Sequence, residues 1–262
     1  MLNFSESNEL LDFTTDTLAQ AGEIVVRYFN RPISVSTKSS EVDIVTQADL
    51  ETEAFIVQRI QERYPHHSIL AEEQGASGSS SSMWVIDPID GTTNFAHSYP
   101  AFMIAIAHIV HTEVVLAATY DPVRKEMFTA IRGNGAKLNN VPISVSNCSS
   151  LSSSIVATGF PYNRATTQDN NLRQFGNVMP KVQGIRRSGS AALDLAYVAC
   201  GRLDGYWEYK LKLWDCAGGI LMVEEAGGKV STSDGSQWNI QSESTVATNS
   251  YIHGQLLNLI QE

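Results

Sequence analysis

The chain has 262 residues, 43% hydrophobic and 18% charged, and its 18 basic against 28 acidic side chains leave a net charge of −10. This is a globular composition with room for one large domain or two; the acidic balance excludes a basic nucleic-acid groove and suits a cation-dependent site. Three cysteines (Cys148, Cys200, Cys216) without C-x-x-C spacing exclude a disulfide scaffold and a thiolate zinc site.

Residues 9–29 carry Leu10, Leu11, Leu18, Ala21, Val25 and Phe29 at helical spacing, with Pro32 as the stop. Residues 33–46 are polar and read as extended or loop. Leu50, Ala54, Val57 and Ile60 predict a second helix over 48–64, ending before Pro65. A short strand is expected at 68–71. Residues 75–82, Gly-Ala-Ser-Gly-Ser-Ser-Ser-Ser, form the one low-complexity segment and read as a flexible solvated connection, or as a mobile flap because Glu72-Glu73 precede it. Residues 84–86 are a buried strand, and 102–110 with 113–120 form a hairpin that 127–131 extends before the turn at Gly133-Asn134-Gly135. The Ser/Asn-rich stretch 144–154 marks a subdomain boundary, separating residues 1–145 from 146–262 within one compact unit. Beyond it come a strand at 155–158, a helix over 190–200 stopped by Gly201, a strand at 204–209, a helix over 215–226 ended by Gly227-Gly228, and a strand at 229–231. Helices alternate with strands, but the hairpin calls for mixed or antiparallel sheets, so the expected class is α+β rather than doubly wound.

Residues 1–9 hold two acidic and no basic residues and lack an apolar core, so no secretory signal is read there. The longest apolar stretch, 102–110, is too short to span a bilayer. A cytoplasmic protein without membrane or nucleic-acid partners is expected.

The chemistry concentrates in Asp87-Pro88-Ile89-Asp90-Gly91-Thr92-Thr93. Asp87 precedes proline and is therefore held extended at a strand tip, with Asp90 just past the turn. Aspartates at turns commonly serve the backbone, and that reading stands for the pair alone. The neighbours add a second reading. Gly91 lets the backbone approach a ligand, and Thr92 or Thr93 can cap a helix whose first N–H groups face outward, where a phosphate fits. Taken singly, Glu72-Glu73 is a solvated turn, Asp215 an N-cap, Gly189-Ser190 a helix start and Glu208 an exposed strand residue. Lys38, Asp43 and Asp49 read as solvated charge.

Together these residues resemble the inositol monophosphatase family of Mg²⁺-dependent, lithium-sensitive phosphomonoesterases. The 87–93 segment matches the family's core motif, and Trp214-Asp215-Cys216-Ala217-Gly218-Gly219 matches its second. Glu72-Glu73 and Asp43-x-Val45-Thr46-x-x-Asp49 match two lesser ones. The resemblance spans nearly the whole chain. It implies a layered α/β/α/β/α sandwich, a homodimer, and two or three Mg²⁺ ions. Glu72, Asp87 and the Ile89 carbonyl would hold one ion, and Asp87, Asp90 and Asp215 a second, with Glu72 near a third. Gly91, Thr92 and Thr93 would receive the phosphate. Gly189, Ser190, Ala191 and Glu208 would face the alcohol. Glu72 with Thr92 is the expected pair for orienting the attacking water, which makes Glu72, Thr92 and Asp90 the catalytic candidates. The physics agrees: converging carboxylates repel unless cations neutralise them, and a two-metal displacement needs no cysteine or histidine nucleophile. The implied substrate is a small phosphomonoester. Glu208 and the continuation Thr93-Asn94-Phe95 look like the inositol type, with histidinol phosphate, fructose 1,6-bisphosphate and a nucleotide 3′-phosphate as alternatives. A non-catalytic binding protein of this type would show decay among the ligands, and none is visible.

Overall fold

The computed structural model describes residues 4–31, 35–38 and 44–262. Pro32 and Asp43 lie outside the described residues, as does half of the polar stretch 33–46. In chain order the elements are α1 (Phe4–Tyr28), β1 (Val35–Thr37), β2 (Ile44–Thr46), α2 (Gln47–Arg63), β3 (Ser68–Ala71), β4 (Gly75–Ser77), β5 (Ser82–Asp90), α3 (Thr92–Ala96), β6 (Met103–Val110), β7 (Glu113–Asp121) and β8 (Glu126–Ile131). They continue with β9 (Ala136–Leu138), β10 (Val141–Pro142), β11 (Ile155–Thr158), α4 (Leu172–Val178), β12 (Gly184–Arg186), α5 (Ala191–Ala199), β13 (Gly205–Tyr209), α6 (Leu213–Glu225), β14 (Lys229–Ser231), β15 (Ser244–Thr248) and α7 (His253–Gln261).

The expected hairpin β6–β7 sits inside an eight-stranded sheet ordered β10-β9-β8-β7-β6-β5-β3-β4. It is mixed, because β3 runs parallel to β5 while the remaining neighbours are antiparallel. A second mixed sheet of five strands has the order β12-β11-β13-β15-β14. Helices α1 and α2 cover one face of the large sheet. Helices α5 and α6 are sandwiched between the sheets, and α4 with α7 closes the outer face of the small one. This is the α/β/α/β/α layering. The central helix pair is apolar on nearly every side, as its position requires: Leu193, Leu195, Val198, Ile220, Leu221, Met222 and Val223 are all buried.

Several boundaries differ from the sequence reading. Helix α1 begins five residues earlier than expected, at Phe4 rather than residue 9. Part of the Gly/Ser segment is a strand, since β4 pairs antiparallel with β3. Strand β5 does not stop at Ile86. It runs through Pro88 to Asp90, with a register shift against β6 between Asp87, opposite Ala105, and Asp90, opposite Met103. Proline lacks the ladder N–H, and an irregular pairing is where a strand tolerates that loss. Helix α6 likewise starts at Leu213, so Asp215 is its third residue rather than its cap.

Candidate active site

The bulge in β5 aims both aspartates at one spot, and three further elements converge on it. The turn after β3 supplies Glu72. Its backbone is pinned to α2, because Glu53, buried in that helix, accepts the N–H groups of Glu73 (2.8 Å) and Gln74 (2.8 Å). The start of α6 supplies Asp215, whose carboxylate accepts the Lys212 N–H at 2.7 Å. The start of α2 supplies Asp49. It closes a capping box with Thr46, in which Oδ2 accepts the Thr46 N–H at 2.9 Å. That leaves Oδ1, which lies 3.1 Å from the Thr92 hydroxyl.

Asp87 is 2% exposed, and its Oδ1 is buried without a hydrogen-bond partner. Burial drives its pKa well above the ordinary carboxylate range, and Glu72, Asp90, Asp215 and Asp49 push it further. Asp215 is raised well above the usual value by burial and then by Asp90, with Glu72 adding to it. Asp90 is raised to about 6 by burial, against the hydrogen bonds its Oδ2 accepts from the Ser190 hydroxyl (2.6 Å) and the Ala192 N–H (2.6 Å). These groups therefore share one low-dielectric space and destabilise one another's charge. Among the described residues no three Asp, Glu, His or Cys side chains close into a ready cage. The donor chemistry nevertheless fits a hard divalent cation. Every available atom is a carboxylate or carbonyl oxygen, and an orphaned buried oxygen sits at the centre. Lys38, just after β1, brings a cation to this cluster. Its ammonium lies 2.7 Å from Glu72 and also contacts Glu73, so this pair is half-buried and ion-paired rather than a solvated turn. The Cys216 thiol next to Asp215 is pushed far up by burial and supplies no thiolate.

Beside the carboxylates the chain turns sharply at Gly91, which takes φ +104° as the N-cap of the five-residue α3. Thr92 and Thr93 are inside that helix rather than capping it. A side chain at Gly91 would be strained by φ and would also meet Ala101 O at 3.0 Å and Gly189 O at 3.3 Å. Phe95, stacked edge-on against Phe102 at 5.2 Å, anchors the turn. Asn94 ties it to the far segment by donating Nδ2 to Ala101 O (2.6 Å) and Ser188 O (2.7 Å). The Thr92 hydroxyl also lies 3.0 Å from the Ile89 carbonyl.

On the other side, Ser190 caps α5, as the sequence suggested, and its hydroxyl accepts the Leu193 N–H at 3.3 Å. Glu208 is not an exposed strand residue. It lines an inner cavity with Asp90, Gly159, Gly189, Ser190, Ala191, Asp194 and Asp215. Tyr206 donates to its carboxylate, and burial raises its pKa to about 7. An outer cleft of about 630 Å³, lined by Gly91, Thr92, Thr93, Arg164 and Arg187, adjoins it through Phe160, Tyr162, Arg187 and Gly189. Asp90, Gly189, Ser190, Ala191, Glu208 and Asp215 thus line the inner cavity and Gly91, Thr92 and Thr93 the adjoining cleft, with Glu72 and Asp87 in the acidic cluster that Asp90 and Asp215 share. Sequence reasoning left Asp49 as solvated charge, although its spacing after Thr46 is a capping-box signal. It also passed over Gly159, Asp194 and Tyr206, which no local pattern marks.

A model of the inositol monophosphatase family matches residues 6–262. An inositol-1-monophosphatase of Synechocystis sp. is 43% identical over 254 residues, 96% of this chain and 88% of that protein. A protein of Haemophilus influenzae named Nus factor SuhB is 39% identical, covering 97% of this chain and 96% of its own length. The solved inositol monophosphatase of Anabaena (Nostoc) sp. superposes with a TM-score of 0.89 at 42% identity, covering 97% of this chain and 96% of that one. Sequence, fold and the carboxylate-lined cleft agree, and the chain belongs to the inositol monophosphatase family of phosphatases.

Proposed function

We propose that this site hydrolyses myo-inositol 1-phosphate to inositol and phosphate, with Mg²⁺ as its cation. The observation that carries the reading is Asp87: a buried, unpartnered carboxylate oxygen among acids that raise its pKa, four positions before Gly91 at the phosphate-accepting turn. Glu72, Asp87 and the Ile89 carbonyl would hold one ion and Asp87, Asp90 and Asp215 another, with Glu72 reaching toward a third. When bound, such cations lower the pKa of a water and neutralise charge on the departing oxygen. The chain does the positioning. The N–H groups of Gly91, Thr92 and Thr93 receive the phosphate. The Thr92 hydroxyl accepts a proton from the attacking water and donates its own toward Asp49 Oδ1, its 3.1 Å neighbour. Asp49 thus takes the part that the sequence reading gave to Glu72, whose carboxylate is turned to Lys38. Ser190, Ala191 and Glu208 border the alcohol, and a carboxylate there accepts hydrogen bonds from its hydroxyls. A homodimer and inhibition by Li⁺ belong to the same proposal.

Arg164 and Arg187 at the cleft mouth make fructose 1,6-bisphosphate the second reading, since guanidinium groups recognise a further phosphate. The test is phosphate release with Mg²⁺ from inositol 1-phosphate, fructose 1,6-bisphosphate, histidinol phosphate and a nucleotide 3′-phosphate. Inositol 1-phosphate is expected to give the highest kcat/KM, and Asp90→Asn to cut it at least about a hundredfold while the protein stays folded. No release from any of the four would sink the proposal.

A further inference from the structure

Strands β11 and β13 run parallel, with Thr158 opposite Trp207, so Gly159, the residue just past β11, comes beside Glu208 of β13. A Cβ built on Gly159 would lie 2.0 Å from Glu208 Oε2 and 2.2 Å from its Cδ and Oε1, far inside any real contact. The space a side chain at residue 159 would occupy is therefore filled by the Glu208 carboxylate. The backbone of Gly159 has no freedom to retreat. The Asn171 Nδ2 donates to Gly159 O at 2.6 Å and to Thr158 Oγ1 at 2.7 Å, and Asn171 Oδ1 accepts the Trp207 indole N–H at 2.7 Å. Thr158 Oγ1 in turn donates to Trp207 O at 2.6 Å. Asn171, Thr158 and Trp207 are all at most 1% exposed. Glu208 is meanwhile held from its other side by the hydroxyl of Tyr206, which is fully buried.

We propose that Gly159 is a specificity-determining positioning residue: its missing side chain is the slot that, with Tyr206, holds the Glu208 carboxylate at the alcohol end of the substrate pocket. The proposal rests on the reading above that Glu208 faces the alcohol. Because Asn171 clamps residue 159, an added methyl cannot be absorbed by the backbone and displaces the carboxylate instead. The consequence is selective. A polyol phosphate loses a charge-assisted hydrogen bond, whereas a phosphomonoester without hydroxyl groups, such as p-nitrophenyl phosphate, has nothing there to lose.

The test compares Gly159→Ala, Glu208→Gln and the double variant on inositol 1-phosphate and p-nitrophenyl phosphate, with thermal melts to verify folding. Gly159→Ala is expected to raise KM for inositol 1-phosphate about tenfold, the worth of one hydrogen bond to a charged group. Its kcat should change little, and kcat/KM for p-nitrophenyl phosphate should stay within about twofold. The double variant should be no worse than Glu208→Gln alone, because both changes remove one interaction. An unchanged KM in Gly159→Ala beside a raised KM in Glu208→Gln overturns the proposal and leaves the role of Glu208 intact. Equal losses on both substrates, or additive effects in the double variant, overturn it as well. If Glu208→Gln itself leaves KM for inositol 1-phosphate unchanged, Glu208 does not face the alcohol, and both statements fall together.

Discussion

At the scale of single residues, the chain keeps several titratable groups buried in unfavourable charge states. His108 is 1% exposed, both ring nitrogens lack a hydrogen-bond partner, and the ring stacks on His67 at 5.3 Å and on Trp84 at 4.5 Å. Burial, then His67, lower its pKa to about 4 from an ordinary 6.5. The unfolded chain therefore binds the proton first as pH falls. The stability that neutral His108 contributes is complete above about pH 6.5, shrinks on acidification, and is gone near pH 4, a loss of about 3 kcal/mol. The carboxylates of the active site run the opposite way, since their folded values are raised and acid relieves them. The difference between two chains isolates the histidine. His108→Phe should lose less melting temperature than the wild type between pH 7 and pH 4.5, and parallel curves for the two would contradict the assignment. Residue types at the site were legible because their chemistry is local: Asp87, Asp90 and Gly91 lie within five positions. The partner of Thr92 was not, because Asp49 stands 43 residues away and reaches it only once the Thr46 cap has turned its carboxylate.

At the scale of elements, the central pair α5–α6 carries the site and joins the two sheets. Its closeness depends on Gly219, where a Cβ would stand 2.4 Å from Leu195 Cβ, a fully buried neighbour. At Gly218 the same atom would meet Ala117 Cβ at an ordinary 3.5 Å. Gly218→Ala should therefore be neutral or stabilising by up to about 1 kcal/mol through helix propensity. Gly219→Ala should cost about 1–3 kcal/mol by overpacking. Urea unfolding of the two variants decides it, and equal midpoints would show that the helices can separate at no cost. Elements with clear periodicity were read from the sequence, including α2, the β6–β7 hairpin and α5. Strands such as β12 and β15 were missed because three to five residues offer too few repeats to reveal a period, and α7, as long as α5, lacks the serine cap and glycine stop that bracket α5.

For the whole molecule, the net charge of −10 and the buried acids make folding and cation binding interdependent. Mg²⁺ at a hundredfold excess over its Kd should stabilise the fold by about 2.7 kcal/mol, raising the melting temperature by about 5–10 °C. Asp87→Asn removes one repelled charge, so it should melt higher than the wild type in chelator and lose the Mg²⁺ increment. A mutant that melts lower in chelator and still gains with Mg²⁺ would contradict the electrostatic account. Among the described residues no helix is long and apolar enough to cross a membrane.

The amino-acid sequence by itself determined the family and the kind of groups at the site: carboxylate oxygens of the type a hard cation takes and a Gly-Thr-Thr turn, carried by short motifs. Only the tertiary structure decided the geometry. It placed the bulge at Pro88, set Asp49 beside Thr92, and showed the slot that Gly159 leaves for Glu208. The last two relations join residues 43 and 49 positions apart. They arise from sheet register, capping and buried clamps, which no local periodicity records.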